Sequence, residues 1–215
     1  MIRLIAKREI LHAQLALFVA IALQFVVWNL NGDELVIGPQ YVLIPIELAL
    51  VLVIGIGPKT RKHPIYHLLA LVLLGIVSFA NLSSLILVLH SLIIGHSAIT
   101  GPELLGAAIA IFITNIIVYA LWYWEIDSPG LSSKRWSTND QDFQFPQQDM
   151  PEKFPRWHAQ FIDYLYLSVV NAVNFAPADS KPLTHGAKLL MASQALISVF
   201  TLALVIARSV SILGN

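Results

Sequence analysis

The chain is dominated by apolar runs that are long enough to cross a lipid bilayer. A bilayer core of about 30 Å requires about 20 helical residues at about 1.5 Å each. Four apolar runs, over residues 11–30, 41–56, 65–95 and 102–124, precede the only extended polar segment. Hydrophobic residues make up 57% of the 215 positions and charged residues only 12%, which is far from the composition of a soluble domain. The sequence therefore predicts an all-α membrane protein.

A short apolar segment and one more full-length run follow the polar residues 126–156, which we expect to be exposed to water. The short segment, residues 157–175, is apolar and aromatic but contains Asp163 and stops well short of a full span. At membrane depth such a segment is best explained as a re-entrant helix. We therefore predict five transmembrane helices plus one re-entrant helix. The number becomes six if the 65–95 run, about 46 Å long as one helix, divides near Asn81.

Residues 167–179, which read Leu-Ser-Val-Val-Asn-Ala-Val-Asn-Phe-Ala-Pro-Ala-Asp, resemble the pore helix and filter of the tetrameric potassium-channel superfamily. The run that follows, over residues 182–208, is similar to the inner helix of that superfamily. The resemblance implies a homotetramer, because one pore unit per chain requires four chains around an axis. It divides the chain into an N-terminal transmembrane bundle (1–101) and a pore-like domain (102–215), the latter comprising an outer helix (102–125), a polar loop (126–156), a pore helix and filter (157–181) and an inner helix (182–213).

The filter sequence departs from that superfamily. Where potassium channels have Thr-Val-Gly-Tyr-Gly-Asp, this chain has Asn-Phe-Ala-Pro-Ala-Asp, without either glycine. Potassium filters need glycine for the backbone conformations that point carbonyl oxygens inward, and alanine and proline do not adopt them readily. We therefore expect side chains to define the ion pathway, with rings of Asp179 carboxylates and of Asn174 and Asn171 amides. The predicted filter and ion pathway comprises Asn171, Asn174, Phe175, Ala176, Pro177, Ala178 and Asp179.

One carboxyl group lies in the middle of an apolar run. Glu47 is surrounded in sequence by isoleucine and leucine, where a carboxylate costs about 2.5–3.5 kcal/mol on insertion scales, so it needs a partner or a proton. A proton or ion relay and a gating contact are the functional interpretations. A neutral carboxyl that packs against Asn81, His90 or Asn115 explains the pattern equally well.

The basic residues favour an inverted pore. Five helices with a cytoplasmic N-terminus place 12 of the 13 lysines and arginines in the cytoplasm, with only Arg208 outside. The same topology puts the re-entrant segment on the cytoplasmic side, opposite to the resembling superfamily. Six helices restore the usual orientation but move six basic residues outside, so both arrangements stay open. At the end of the fourth run, Trp122-Tyr123-Trp124 is typical of an interfacial aromatic belt.

The remaining patterns exclude several classes of function. Without cysteine there is no thiolate metal site, and the pair His63 and His67 lacks a third ligand, so we predict no metal site and no cofactor. No nucleophile motif and no basic stripe occur, so neither an enzyme nor a nucleic-acid-binding protein is expected.

The expected function is a cation-permeable pore in a lipid bilayer, with a bacterial inner membrane as the expected location. Two alternatives remain open: a proton-coupled secondary transporter that uses Glu47, and a non-conducting structural membrane protein.

Overall fold

The computed structural model describes residues 7–31, 40–55, 64–94, 100–127, 141–155, 157–174 and 179–213. These residues are mostly helical, and two short strands pair with each other. The elements in chain order are α1 (Lys7–Asn31), α2 (Gln40–Gly55), α3 (Pro64–Ile94), α4 (Gly101–Asp127), β1 (Phe143–Gln144), a 3₁₀ turn (Pro146–Asp149), α5 (Phe161–Asn174), β2 (Lys181–Pro182) and α6 (His185–Leu213). Within the described residues α1, α3, α4 and α6 are long and apolar enough to cross a membrane. The chain is thus an all-α protein embedded in a membrane.

The second and third apolar runs form helices of very different length. Helix α2 has 16 residues, which corresponds to about 24 Å, and it contains Pro45. It is shorter than a full span, so it is not among the four long helices. Helix α3 is continuous over 31 residues, and Asn81 lies inside it. The break near Asn81 that six crossings would require is therefore absent from this helix.

Side chains near the first turn satisfy free backbone N–H groups at three helix starts. The Thr100 N–H donates to Glu103 Oε2 at 2.7 Å at the start of α4, and the Gln160 N–H donates to Asp163 Oδ2 at 2.7 Å at the start of α5. At the start of α6, the Ala187 N–H donates to Thr184 Oγ1 at 3.2 Å. Such caps satisfy groups that have no partner inside the helix, and they explain why the helices begin where they do.

One apolar core connects the two predicted halves of the chain. It contains buried residues from all six helices, among them Leu17 of α1, Leu74 of α3, Leu121 of α4, Leu167 of α5 and Met191 of α6. A second cluster joins α1, α3, α4 and α6 towards the other end of α4. The predicted boundary at residues 101 and 102 therefore does not separate two independent cores.

Two aromatic segments lie deeper in the protein than their sequence patterns predict. Trp124, expected in an interfacial belt, is fully buried, and its ring lies 5.5 Å from that of Phe161 in an edge-to-face arrangement. Phe143 and Phe145, expected in a water-exposed loop, are also buried, with ring centroids 6.4 and 5.3 Å from that of Tyr164. The expected exposure to water is wrong for Phe143 and Phe145, although Glu152 and Lys153 of the same segment are exposed. Trp124 packs against protein, because runs of aromatic residues occur in protein interiors as well as at membrane interfaces.

Candidate functional site

Helices α4 and α6 run antiparallel, and α5 packs against both of them. Asn115 Nδ2 donates to Ser198 Oγ at 3.1 Å, whereas Tyr123, two turns further along α4, donates to Gln194, one turn earlier in α6. Tyr119 and Ser193 add a hydroxyl–hydroxyl bond of 2.8 Å between the same two helices. The side chains of Ser193, Gln194 and Ser198 on α6 therefore face α4.

The side chain of Gln194 joins all three helices of this unit. Its Oε1 accepts from Tyr123 Oη at 2.5 Å and from Asn171 Nδ2 at 2.7 Å. Its Nε2 donates to Ser168 O at 3.0 Å and to Ser168 Oγ at 2.6 Å. All four residues are at most 2% exposed. We call Tyr123, Ser168, Asn171 and Gln194 the polar node; because its members satisfy one another, it fixes α5 against α4 and α6.

Two further bonds anchor α5 to backbone carbonyls of its neighbours. Ser168 Oγ donates to Ile116 O of α4 at 2.7 Å, and Asn171 Nδ2 donates to Met191 O of α6 at 3.0 Å. Gln194 lies nine residues beyond the start of α6, which is about 14 Å along the helix. The C-terminal half of α5 is therefore held well inside the bundle.

At its other end α5 is tied to the last residue of α4. Asp127 accepts from the backbone N–H groups of Asp142 and Phe143 at 2.6 and 3.0 Å, and from Tyr164 Oη at 2.6 Å. One carboxylate thus holds together the end of α4, the start of β1 and the first turn of α5.

The segments on either side of α5 lie next to each other. Strand β1 pairs with β2 in antiparallel register, with Phe143 opposite Pro182 and Gln144 opposite Lys181. Beside this pair, Leu183 N donates to Asp142 O at 2.8 Å, and Thr184 Oγ1 donates to the Asp142 carboxylate. The chain therefore leaves the end of α4, passes through α5 and comes back to the same end.

Charged side chains gather around the start of α5. His158 Nε2 lies 3.8 Å from Glu9 Oε1 of α1, which joins the N-terminal helix to the segment before α5. Partial burial raises the pKa of Asp163, while the bond from the Gln160 N–H and the proximity of His158 act in the opposite direction. These contacts hold the residues that directly precede α5 against the first turn of α5 and against α1.

The described residues of the predicted filter occupy two different environments. Asn174 at the end of α5 and Asp179 after it are exposed, as an ion-contacting position requires. Asn171 instead belongs to the polar node and is 2% exposed, so its amide holds helices together and does not line an open pathway. Phe175, Ala176, Pro177 and Ala178 lie outside the described residues.

The predicted intramembrane polar residues do not form one cluster. Glu47 is completely buried, and neither carboxylate oxygen has a hydrogen-bond partner in the described part of the chain. Asn81 is buried, His90 is exposed, and Asn115 donates to Ser198. The packing partners that the sequence offered for Glu47 are therefore not its hydrogen-bond partners.

Sequence reasoning missed Tyr123, Ser168, Gln194 and Asp127. A signal was available for Gln194. The polar residues Gln194, Ser198 and Thr201 follow one another at spacings of four and three residues in an otherwise apolar run, which places all three on one face of a helix. The three are buried in the structure. No comparable signal marks Tyr123, which sits in an aromatic run.

Metal binding finds no support in the described residues, where no three histidine, cysteine or acidic side chains come together. Of the histidine pair, His63 lies outside the described residues and the side chain of His67 is likewise not described.

Comparison of the chain with known protein families, with curated proteins and with solved structures found no match in any of the three. The functional assignment therefore rests on the residues of this chain.

Proposed function

We propose that the chain assembles as a homotetramer around a central cation-permeable pore, with α4, α5 and α6 as outer helix, pore helix and inner helix. The observation that carries this proposal is the path of the chain at α5. Strands β1 and β2 bring its two flanks together, while Asn171 reaches Gln194 inside the bundle. With 14 residues, or about 21 Å, α5 is too short to span a bilayer and fits a re-entrant helix.

Re-entrant helices serve ion pathways for a physical reason. Backbone that leaves helical structure at membrane depth has to face protein or a water-filled cavity, because lipid offers no hydrogen bonds. The last turn of α5 has carbonyl groups without a partner inside the helix and is the negative end of the helix dipole, which favours cations. Asn174 and Asp179 are exposed on either side of the short segment that follows α5, and four copies of each would surround the axis.

The proposed topology has five crossings, the four long helices and the shorter α2. Helix α2 has to cross because the basic cluster after it, Lys59, Arg61 and Lys62, is placed in the cytoplasm together with the N-terminus. A cytoplasmic N-terminus then places the C-terminus outside and the β1–β2 pair on the cytoplasmic side. A reporter fused to the C-terminus tests this arrangement. An external reporter supports five crossings, and a cytoplasmic one contradicts them.

The direct test is ion flux from purified protein in liposomes, compared across potassium, sodium, protons and divalent cations, together with the subunit number in detergent. Cation flux from a tetramer supports the pore. Saturable, proton-dependent uptake of a solute would instead favour a transporter that uses Glu47. A monomer without flux would favour a structural protein.

Asp179→Asn is expected to lower cation flux about threefold or more and to alter the preference among cations, because a carboxylate ring concentrates cations at a pore mouth. The matched control is Asp149→Asn, which changes another exposed carboxylate, in the 3₁₀ turn before α5. It should leave flux unchanged. Equal flux from wild type and the Asp179 variant would exclude the carboxylate ring.

A further inference from the structure

The N-terminal helices contain a carboxyl group that the pore does not use. Glu47 lies on α2 in a fully buried position, and Val51, one turn later on the same face, is also fully buried. Val51 belongs to the apolar core that includes Ala13 and Leu17 of α1 and Leu73 of α3. The Glu47 side chain therefore points into the interior of the α1–α2–α3 bundle rather than towards lipid.

Among the residues that the structure describes, no charged side chain of the surrounding helices compensates this carboxyl group. Helix α1 has no acidic or basic residue between Gln14 and Asn31, and α3 has none between Leu68 and Leu89. Nearer the ends of these helices, Glu9 lies beside His158, away from Glu47. The side chains of Arg8, His12 and His90 are exposed. Those of Lys7 and His67 are not described.

The Gln14 side chain of α1 is also committed. Gln14 Nε2 donates to Val51 O at 3.3 Å, one turn beyond Glu47 on α2. Both carboxylate oxygens of Glu47 remain without a hydrogen-bond partner in the described residues. An unpaired carboxylate buried among apolar side chains is far less stable than the neutral acid, because burial removes the charge from water without supplying a partner.

We propose that Glu47 is a proton-binding site inside the α1–α2–α3 bundle and a site of covalent modification by hydrophobic carbodiimides. This site is separate from the α4–α6 unit and does not depend on whether the pore conducts.

The modification requires the protonated acid. The proton of the Glu47 carboxyl moves to one nitrogen of the carbodiimide, and the carboxylate oxygen bonds to the central carbon, which gives an O-acylisourea. The acyl group then moves from oxygen to nitrogen and forms a stable N-acylurea. Both steps are additions or rearrangements without a leaving group, so the peptide gains the full mass of the reagent. A site that excludes water favours the rearrangement over hydrolysis.

The experiment treats the full-length protein in liposomes with dicyclohexylcarbodiimide and maps the adduct by peptide mass spectrometry. We expect an adduct on Glu47 that decreases as the pH is raised from acidic to alkaline, and that is absent from Glu47→Gln. The matched control, Glu152→Gln, removes an exposed glutamate and should leave the adduct unchanged. Modification of exposed acids without any on Glu47 would overturn the modification site.

Infrared spectroscopy tests proton binding without requiring reagent access. The carbonyl band of protonated carboxyl groups, recorded at mildly acidic pH, should lose intensity in Glu47→Gln relative to wild type and to Glu152→Gln. An unchanged band in Glu47→Gln would overturn the proton-binding site, whether or not the protein conducts ions.

Discussion

Replacement of Gln194 by leucine is expected to destabilise the protein by about 2–4 kcal/mol. Gln194 makes four hydrogen bonds to α4 and α5. Interhelical bonds in membrane proteins contribute about 0.6 kcal/mol on average, and a buried polar group left without a partner costs about 1–3 kcal/mol. Leucine has a similar volume, so lost hydrogen bonding dominates the effect. Thermal unfolding in detergent, followed by circular dichroism, measures it.

A second measurement shows whether Gln194 positions α5. The chain has no cysteine, so spin labels attach at single introduced cysteines without background. Val173 on α5 and Leu189 on α6 are exposed and accept labels. We expect a narrow distance distribution between them in wild type and a broader one in Gln194→Leu.

The matched control is Gln160→Leu, because the Gln160 side chain is exposed and its capping contact uses the backbone N–H. This variant should keep both the stability and the narrow distribution of wild type. If Gln194→Leu behaves in the same way, the polar node does not hold α5 in place.

Trp124→Ala is expected to lower the free energy of unfolding by about 3–5 kcal/mol, which is the usual loss when a large aromatic side chain is removed from a core. Trp124 is among the largest fully buried side chains, and its ring packs edge-to-face against Phe161 at the first residue of α5. Its removal leaves a cavity between α4 and α5. The same unfolding measurement in detergent tests this expectation.

Tyr166→Ala provides the comparison, because this aromatic residue of α5 is 57% exposed. It should change stability by less than about 1 kcal/mol, as exposed substitutions generally do. Similar stability of the Trp124 and Tyr166 variants would mean that Trp124 faces the membrane interface, as its sequence pattern had predicted.

The local sequence pattern was sufficient to predict where the helices lie in the chain, but not which residues of different helices contact each other. A short helix was predicted within residues 157–175, and α5 forms over residues 161–174, because the length of an apolar run between polar flanks is a property of the segment itself. Asn171 in the same helix was predicted to face ions, and it faces Tyr123 and Gln194 instead. Its partners lie 20–48 residues away in the chain, so no local pattern indicates them.

Glu47 and Asp127 show the same difference, for acidic residues, between what the local sequence predicts and what only the folded structure shows. The apolar neighbours of Glu47 predicted a position inside an apolar helix, and Glu47 lies within α2. The burial of its side chain against other helices is seen only in the structure. Asp127 gave no such signal, because its role depends on backbone N–H groups of Asp142 and Phe143 and on the Tyr164 hydroxyl, which only folding brings to it.

The sequence by itself determined that this chain lies in a membrane and where its long helices run, because the cost of transferring each segment from water depends on the residues of that segment alone. It also indicated the position of the short helix α5. The tertiary structure decided which side of each helix faces a neighbour, and thereby placed Gln194 and Trp124 at the centre of the α4–α5–α6 unit. That outcome depends on how the helices are rotated against one another, which contacts between distant residues set and no single segment encodes.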